Sequence, residues 1–331
     1  MTISLSRERL TELLEAARTK RIAVIGDAML DVYLVGDVER ISPEAPVPVV
    51  RVRHRNHALG GAANVAQNVV AIGATCELVA TVGEDRAGET VRTMLDLLGA
   101  GHASLVTIDR STTQKTRILA RSQQLVRVDE EDDTDLSSAE VALLLERVRS
   151  AIAVADAVVL EDYNKGVLVP EVIAETMRLA QERSLPVVVD PKYRNFFLYR
   201  GATIFKPNVR ELEAALGAEV DVDHPETLPA TLVRLGVEHI LLTLGERGMV
   251  LFSEHGEIAR VPTVAREVYD VVGAGDTVTA YLATMLAAGG TPAEAAVIAN
   301  IAAGIEVGKL GAATVAAAEV LAYVNQHSLS G

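Results

Sequence analysis

The chain has 331 residues, 49% of them hydrophobic and none tryptophan, which excludes a disordered chain and is enough to bury a large core. A formal net charge of −14 excludes a general electrostatic attraction to nucleic acid or anionic lipid, so any anionic ligand must be held by local devices. The single cysteine, Cys76, excludes a disulfide framework and cysteine-based metal sites; it sits in an apolar run that reads as a buried strand and fits a reducing cytoplasm.

The N-terminal "MTISLSRERLTELLEAARTK" has mixed charge and helical spacing, unlike a signal peptide. No run approaches the ~18 apolar residues of a membrane span, so a soluble, cytoplasmic protein is expected. From residue 21, apolar strands alternate with amphipathic helices: "RIAVIGD", "AANVAQNVVAIG", "CELVATVG", "AGETVRTMLDLLG", then "DAVVLED", "PEVIAETMRLAQERS", "PVVVDPK", "ATIFKPN", "VRELEAALG", "HILLTLG" and "GMVLFS". Strands that are apolar throughout need cover on both faces, which predicts an α/β fold with a central, mostly parallel sheet and helices on both sides. Residues 33–57 and 112–130 instead alternate polar and apolar, which predicts strands with one wet face. Both are inserted between core elements, so together they are expected to form a small β-sheet lid over the carboxyl ends of the main strands. With no repeat, low-complexity tract or linker, residues 1–331 read as one domain.

Ligands of such sheets bind beyond the carboxyl ends of the strands, so the residues there carry the chemistry. Asp27 and Asp31 in "IGDAMLD" are placed to accept from paired hydroxyls, or are solvated turn residues. Gly60 and Gly61 open a helix with Asn64 one turn in, where an amide suits a polyol; a tight turn with close helix packing explains the pair equally. Asp162 and Lys165 follow one strand, Asp190 and Lys192 the next, and Lys206 a third. A single lysine there is usually solvated, but three in corresponding places suggest a ligand site in an acidic protein. Asn208 and Glu211 in "FKPNVRELEA" fit a capping box, and also a magnesium–water shell near phosphates. Thr243, Gly245 and Gly248 end a further strand.

In "EVYDVVGAGDTVTA", Gly273, Ala274 and Gly275 bring backbone close to a ligand at a helix start, a ready anion pocket. Asp276 there is either the helix N-cap or a general base for a hydroxyl attacking a phosphoryl group, and the sequence alone leaves the two even. The seven histidines have no zinc-like spacing, G-x-S-x-G and Walker motifs are missing, and Asp27 follows the first strand where a nicotinamide dehydrogenase would carry G-x-G-x-x-G.

The pair "GGAANVAQNVVAIGA" and "DVVGAGDT" resembles the ribokinase-like (PfkB) carbohydrate kinases, over nearly the whole chain from Arg21 onward. "GDAMLDVYLVGDVERISPEAPVPVVRV", "KTRILARSQQLVRVDEE", "LEDYNKG", "EVYDVVGAGDT" and "VGKLGAATV" are more narrowly similar to the D-glycero-β-D-manno-heptose 7-phosphate kinases of lipopolysaccharide core synthesis, in their stand-alone form. The resemblance implies a ribokinase-like fold and transfer of the ATP γ-phosphoryl group to the anomeric hydroxyl of the heptose phosphate, giving the 1,7-bisphosphate.

It implies Asp276 as the base and Gly273, Ala274 and Gly275 as the anion hole. Asp27, Asp31, Gly60, Gly61 and Asn64 would form the sugar pocket, with Arg117, Gln124 and Arg127 closing over the sugar and its phosphate. Asp162, Lys165 and Lys192 join the substrate side. Asn208 and Glu211 would organise magnesium, probably through water, and together with Lys206, Thr243, Gly245, Gly248, Asn300, Gly304 and Val307 the nucleotide. ATP and Mg2+ are the implied cosubstrate and cofactor, and whether a monovalent cation assists stays open. Where many members carry threonine just before Gly273, this chain has Val271 and Val272. Another sugar kinase of the fold (fructokinase or ribokinase type), a non-catalytic sugar or nucleotide sensor, and an oxidoreductase are the alternatives. A homodimer through the lid is expected, because Val47, Val49 and Val50 would otherwise be exposed; neither nucleic acid nor membrane is an expected partner.

Overall fold

Ile22 and Val24 of the first strand bury into one hydrophobic core and Ala23 and Ile25 into another, so the strand is covered on both faces, as its unbroken apolar run requires. The structure, a computed structural model, describes residues 5–100, 104–120, 123–223, 228–253, 256–265, 271–309 and 313–327. Parts of the quoted "EVYDVVGAGDT", "VGKLGAATV" and the second lid segment lie outside the described residues.

The elements run α1 (Arg7–Ala17), β1 (Arg21–Gly26), β2 (Ala28–Ile41), β3 (Pro48–Gly61), α2 (Ala62–Ile72), β4 (Thr75–Gly83), α3 (Arg86–Leu98), β5 (Leu105–Ile108), β6 (Gln114–Ala120) and β7 (Gln123–Glu130). They continue with α4 (Ser138–Val154), β8 (Ala157–Glu161), α5 (Pro170–Glu182), β9 (Val187–Asp190), β10 (Ile204–Phe205), α6 (Val209–Leu216), α7 (Leu228–Leu235), β11 (His239–Thr243), β12 (Met249–Ser253), β13 (Gly256–Val261), α8 (Ala274–Ala287), α9 (Pro292–Glu306) and α10 (Ala317–Gln326). The main sheet has the order β13-β12-β11-β10-β9-β8-β1-β4-β5. From β11 to β5 all neighbours are parallel, and β12 and β13 close one edge antiparallel. Helices α1, α2, α8, α9 and α10 bury one face through residues such as Leu13, Val65, Tyr281 and Ile298. The other face is covered by α4 to α7 through Leu144, Val172, Leu212 and Leu232. Each such fully buried aliphatic side chain contributes about 1.5–3 kcal/mol.

The chain leaves β1 toward β4 on one side, while β8 lies on the other, so the crevice between β1 and β8 is the switch point where ligands of open α/β sheets bind. A separate four-stranded sheet, β3-β2-β6-β7, rises from this end. Its strands overrun the expected 33–57: β2 starts at Ala28, directly after β1, and β3 runs to Gly61, directly into α2. The first half of β2 is buried, so the wet-face alternation that marks the strand in the sequence begins only near Tyr33. Cys76 is buried in β4, as expected. Among the described residues, no helix is long and apolar enough to cross a membrane.

Candidate active site

Two helix starts meet at the switch point. The first is α2, entered through Gly60 and Gly61. A Cβ on Gly60 would stand 2.7 Å from Met29 Cγ and 2.9 Å from Asp31 Oδ2, and one on Gly61 would stand 2.3 Å from the Asp27 carbonyl oxygen. Gly61 also has φ +56°, so close approach and backbone conformation both require the pair. The second is α8, preceded by Gly273 with φ 96° and capped by no side chain. Gly275 is exposed, and the nearest atoms to a Cβ there would be Lys206 Nζ at 3.6 Å and Asp190 Oδ2 at 3.8 Å. The helix start therefore opens onto a bare backbone surface with a lysine beside it, a combination suited to an anion.

Asp276 does not cap α8. It lies inside the first turn, and its oxygens reach elsewhere: Asn64 Nδ2 donates to Oδ2 at 2.7 Å and the Tyr163 hydroxyl donates to Oδ1 at 2.9 Å. Asn64 is itself braced by Asn68, whose Nδ2 donates to the Asn64 carbonyl at 3.0 Å. Burial raises the Asp276 carboxyl to about 6, with Asp190 adding to the rise and the donors Asn64 and Tyr163 and the charge of Lys206 opposing it. The Lys206 ammonium lies 2.7 Å from Asp190 Oδ2. Burial works against its charge, but Asp190 and Glu161 outweigh that and hold it protonated. A buried carboxylate tuned toward neutrality, an uncapped helix start and a buried cation together can take a proton from a hydroxyl and hold a phosphoryl group.

The other expected residues fall into distinct groups. Asp31 is buried and pairs with Arg117 Nη1 at 2.5 Å, and the guanidinium stands 5.3 Å from the Tyr33 ring centroid. Asp27 is buried, but its oxygens accept backbone N–H groups of Tyr163 at 2.8 Å, Lys165 at 3.0 Å and Val167 at 3.1 Å. It therefore closes the β1–β8 crevice, and most of its capacity to accept from sugar hydroxyls is spent. Asp162 is likewise engaged, by Asn164 N at 2.7 Å and the Tyr199 hydroxyl at 2.6 Å, and burial raises its carboxyl to about 6. Lys165 pairs with Glu131 at 2.8 Å. Gln124 and Arg127 stand exposed on β7, with Arg127 Nε donating to Asp129 at 2.8 Å.

The capping box of Asn208 and Glu211 is present, with both reciprocal bonds at 2.9 Å. The second Glu211 oxygen is taken by Lys192, so this turn fits a metal only through water. Thr243 bridges to Asn208, and Gly245 opens the turn that follows β11. Gly248, with φ 84°, lies where a Cβ would be 2.1 Å from the Val261 carbonyl oxygen. Asn300 Nδ2 donates to the Pro262 carbonyl at 2.8 Å, a Gly304 Cβ would meet Val264 Cγ2 at 2.4 Å, and Val307 ends α9; these three sit against the strand-end segment 262–264.

Two residues that matter here carry no mark in the sequence reading. Tyr163 directly contacts Asp276, and Lys115 and Lys192 lie 5.1 Å and 5.4 Å from its ring centroid. Glu161 ends an apolar strand and is fully buried. The position of Tyr163 just beyond β8 is the signal that could have found it.

The comparisons with known proteins agree with this geometry. The model described as "pfkB family carbohydrate kinase" matches residues 19–318. A protein of Rhodospirillum rubrum named "Bifunctional protein HldE" is 46% identical over 328 residues, covering 97% of this chain. The chain spans 65% of that relative's length. Among solved structures, a ribokinase of Arabidopsis thaliana complexed with ribose and ATP superposes with a TM-score of 0.73 at 21% identity, covering 92% of this chain and 98% of its own. Phosphofructokinase-2 of Escherichia coli in complex with potassium gives 0.75 at 18% identity, covering 93% and 99%. These two likenesses establish the ribokinase-like fold.

Proposed function

The chain belongs to the pfkB family of carbohydrate kinases, and we propose that it transfers the γ-phosphoryl group of ATP to the anomeric hydroxyl of D-glycero-β-D-manno-heptose 7-phosphate. The product is the 1,7-bisphosphate, on the ADP-heptose route to lipopolysaccharide core. The observation that carries the reading is Asp276: a buried carboxyl raised to about 6, aimed by Asn64 and Tyr163, at the start of a helix that no side chain caps.

In this reading Asp276 takes the proton as the hydroxyl oxygen attacks, and the bond to the leaving ADP breaks in line. The backbone of Gly273, Ala274 and Gly275 and the ammonium of Lys206 face the charge on the transferred group. Bound Mg2+ supplies further neutralisation of phosphate charge, and Asn208 and Glu211 would hold it through water. Arg117 and the neighbouring Lys115 supply positive charge for an acceptor that already carries a phosphate. The small sheet acts as the lid that excludes water, the competing nucleophile. Relatives bearing the HldE name and the motifs shared with heptose 7-phosphate kinases support that acceptor.

The enzyme works as a cytoplasmic homodimer through the small sheet, where Val47, Val126 and Val128 are exposed while Val49 and Val50 are half-buried. A monomer mass in light scattering at micromolar concentration contradicts the dimer. ADP release measured across a panel of sugars and sugar phosphates tests the acceptor. Heptose 7-phosphate should give the highest kcat/KM, and preference for fructose 6-phosphate or ribose would replace it.

A further inference from the structure

One carboxylate oxygen each of Glu161, Asp190 and Asp276 lie within 4.8 Å of one another, at the carboxyl ends of β8 and β9 and the start of α8. Glu161 is fully buried, and neither of its oxygens meets a hydrogen-bond donor among the described residues. That is an expensive arrangement unless a cation or a proton completes it, because a buried charge needs a partner. The groups facing the cluster are Lys206, bonded to Asp190, and the donors Asn64 and Tyr163, both spent on Asp276. Lys192 is neutralised by Glu211. Three carboxylates against one ammonium leave two negative charges, the deficit that one divalent ion removes. A span of 4.8 Å equals two opposed bonds of about 2.4 Å, within reach of a hard cation on oxygen ligands.

We propose that Glu161, Asp190 and Asp276 form a buried binding site for a hard divalent cation, distinct from the nucleotide-side turn of Asn208 and Glu211. Burial and the neighbouring charges of Asp190 and Asp276 push the Glu161 carboxyl upward, the direction expected where the ionised form lacks compensation. An ion seated there takes up Asp276, so free divalent metal opposes turnover. Binding does not depend on the kinase reading; only this effect on rate rests on it.

The test is Mn2+ binding to the full chain without nucleotide or sugar, followed by electron paramagnetic resonance, with Mg2+ as competitor. Wild type should bind Mn2+, Glu161→Gln and Asp190→Asn should each weaken it at least ~10-fold, and Glu211→Gln should leave it unchanged. Should Glu161→Gln not fold, Asp190→Asn decides. Wild type that binds no Mn2+, in which case Glu161 rests as a neutral acid, overturns the site. So does binding that survives both ligand substitutions or that is lost in Glu211→Gln.

Discussion

Asn64 Nδ2 lies 2.7 Å from Asp276 Oδ2, across 212 positions of sequence. This bond joins the two glycine signatures, one at each helix start. Its donor lowers the Asp276 carboxyl against the upward push of burial. Asn64→Ala should therefore move the acid limb of kcat/KM to higher pH, with a loss of about 10-fold near pH 6, where one pH unit is one tenfold step. An unshifted limb would remove Asn64 from the control of the base.

Tyr163→Phe deletes the other donor to Asp276 and nothing else of the ring. A hydrogen bond to a charged group contributes about 1.5–3 kcal/mol, so kcat should fall by roughly 10- to 100-fold and the acid limb should rise. The KM for ATP should not move. A parallel rise in that KM would mean that the tyrosine acts on the nucleotide instead.

The pH dependence has a defined sign. The base must be ionised, so activity should be full above neutrality and fall as pH drops through about 6, the raised Asp276 value. For stability, a carboxyl raised above its ordinary 3.8 favours the native state below 3.8, and that contribution is lost as pH rises through about 6. Asp276→Asn should thus gain more stability relative to wild type at pH 8 than at pH 5, on the order of 1–3 kcal/mol. Urea unfolding at the two values checks this.

Arg117 and Asp31 make a buried pair, and removing one partner strands the other. Arg117→Met should cost about 3–5 kcal/mol, and the double variant Arg117→Met, Asp31→Leu less than the single one. Chemical denaturation measures both. A cost below about 1 kcal/mol would show the pair to be wet.

The parallel sheet was legible because β1, β4, β8 and β9 are apolar throughout, a pattern that only two-sided cover explains. The small sheet was legible through its polar alternation, but its ends were not, since Ala28 to Val32 are buried and look like core. Asp276 was ambiguous for a physical reason: an acid at a helix start caps or reacts according to where its oxygens point, which depends on Asn64 and Tyr163 from distant segments. Asp27 shows the converse. Its place after a strand suggests ligand binding, yet three N–H groups beyond β8 claim it. Asn208 and Glu211 form the capping box their spacing allows. Glu161 was invisible because a carboxylate closing an apolar run reads as the strand's wet end, and only the convergence with Asp190 and Asp276 shows it buried.

The most direct test of the account is the Asp276→Asn variant, assayed for ADP release with the sugar phosphate at saturation and for ATP binding by calorimetry. A general base contributes about 10²–10⁴-fold, so turnover should fall at least ~10²-fold while ATP binds nearly as before. Turnover close to that of the wild type would contradict the assignment of Asp276 as the group that takes the proton.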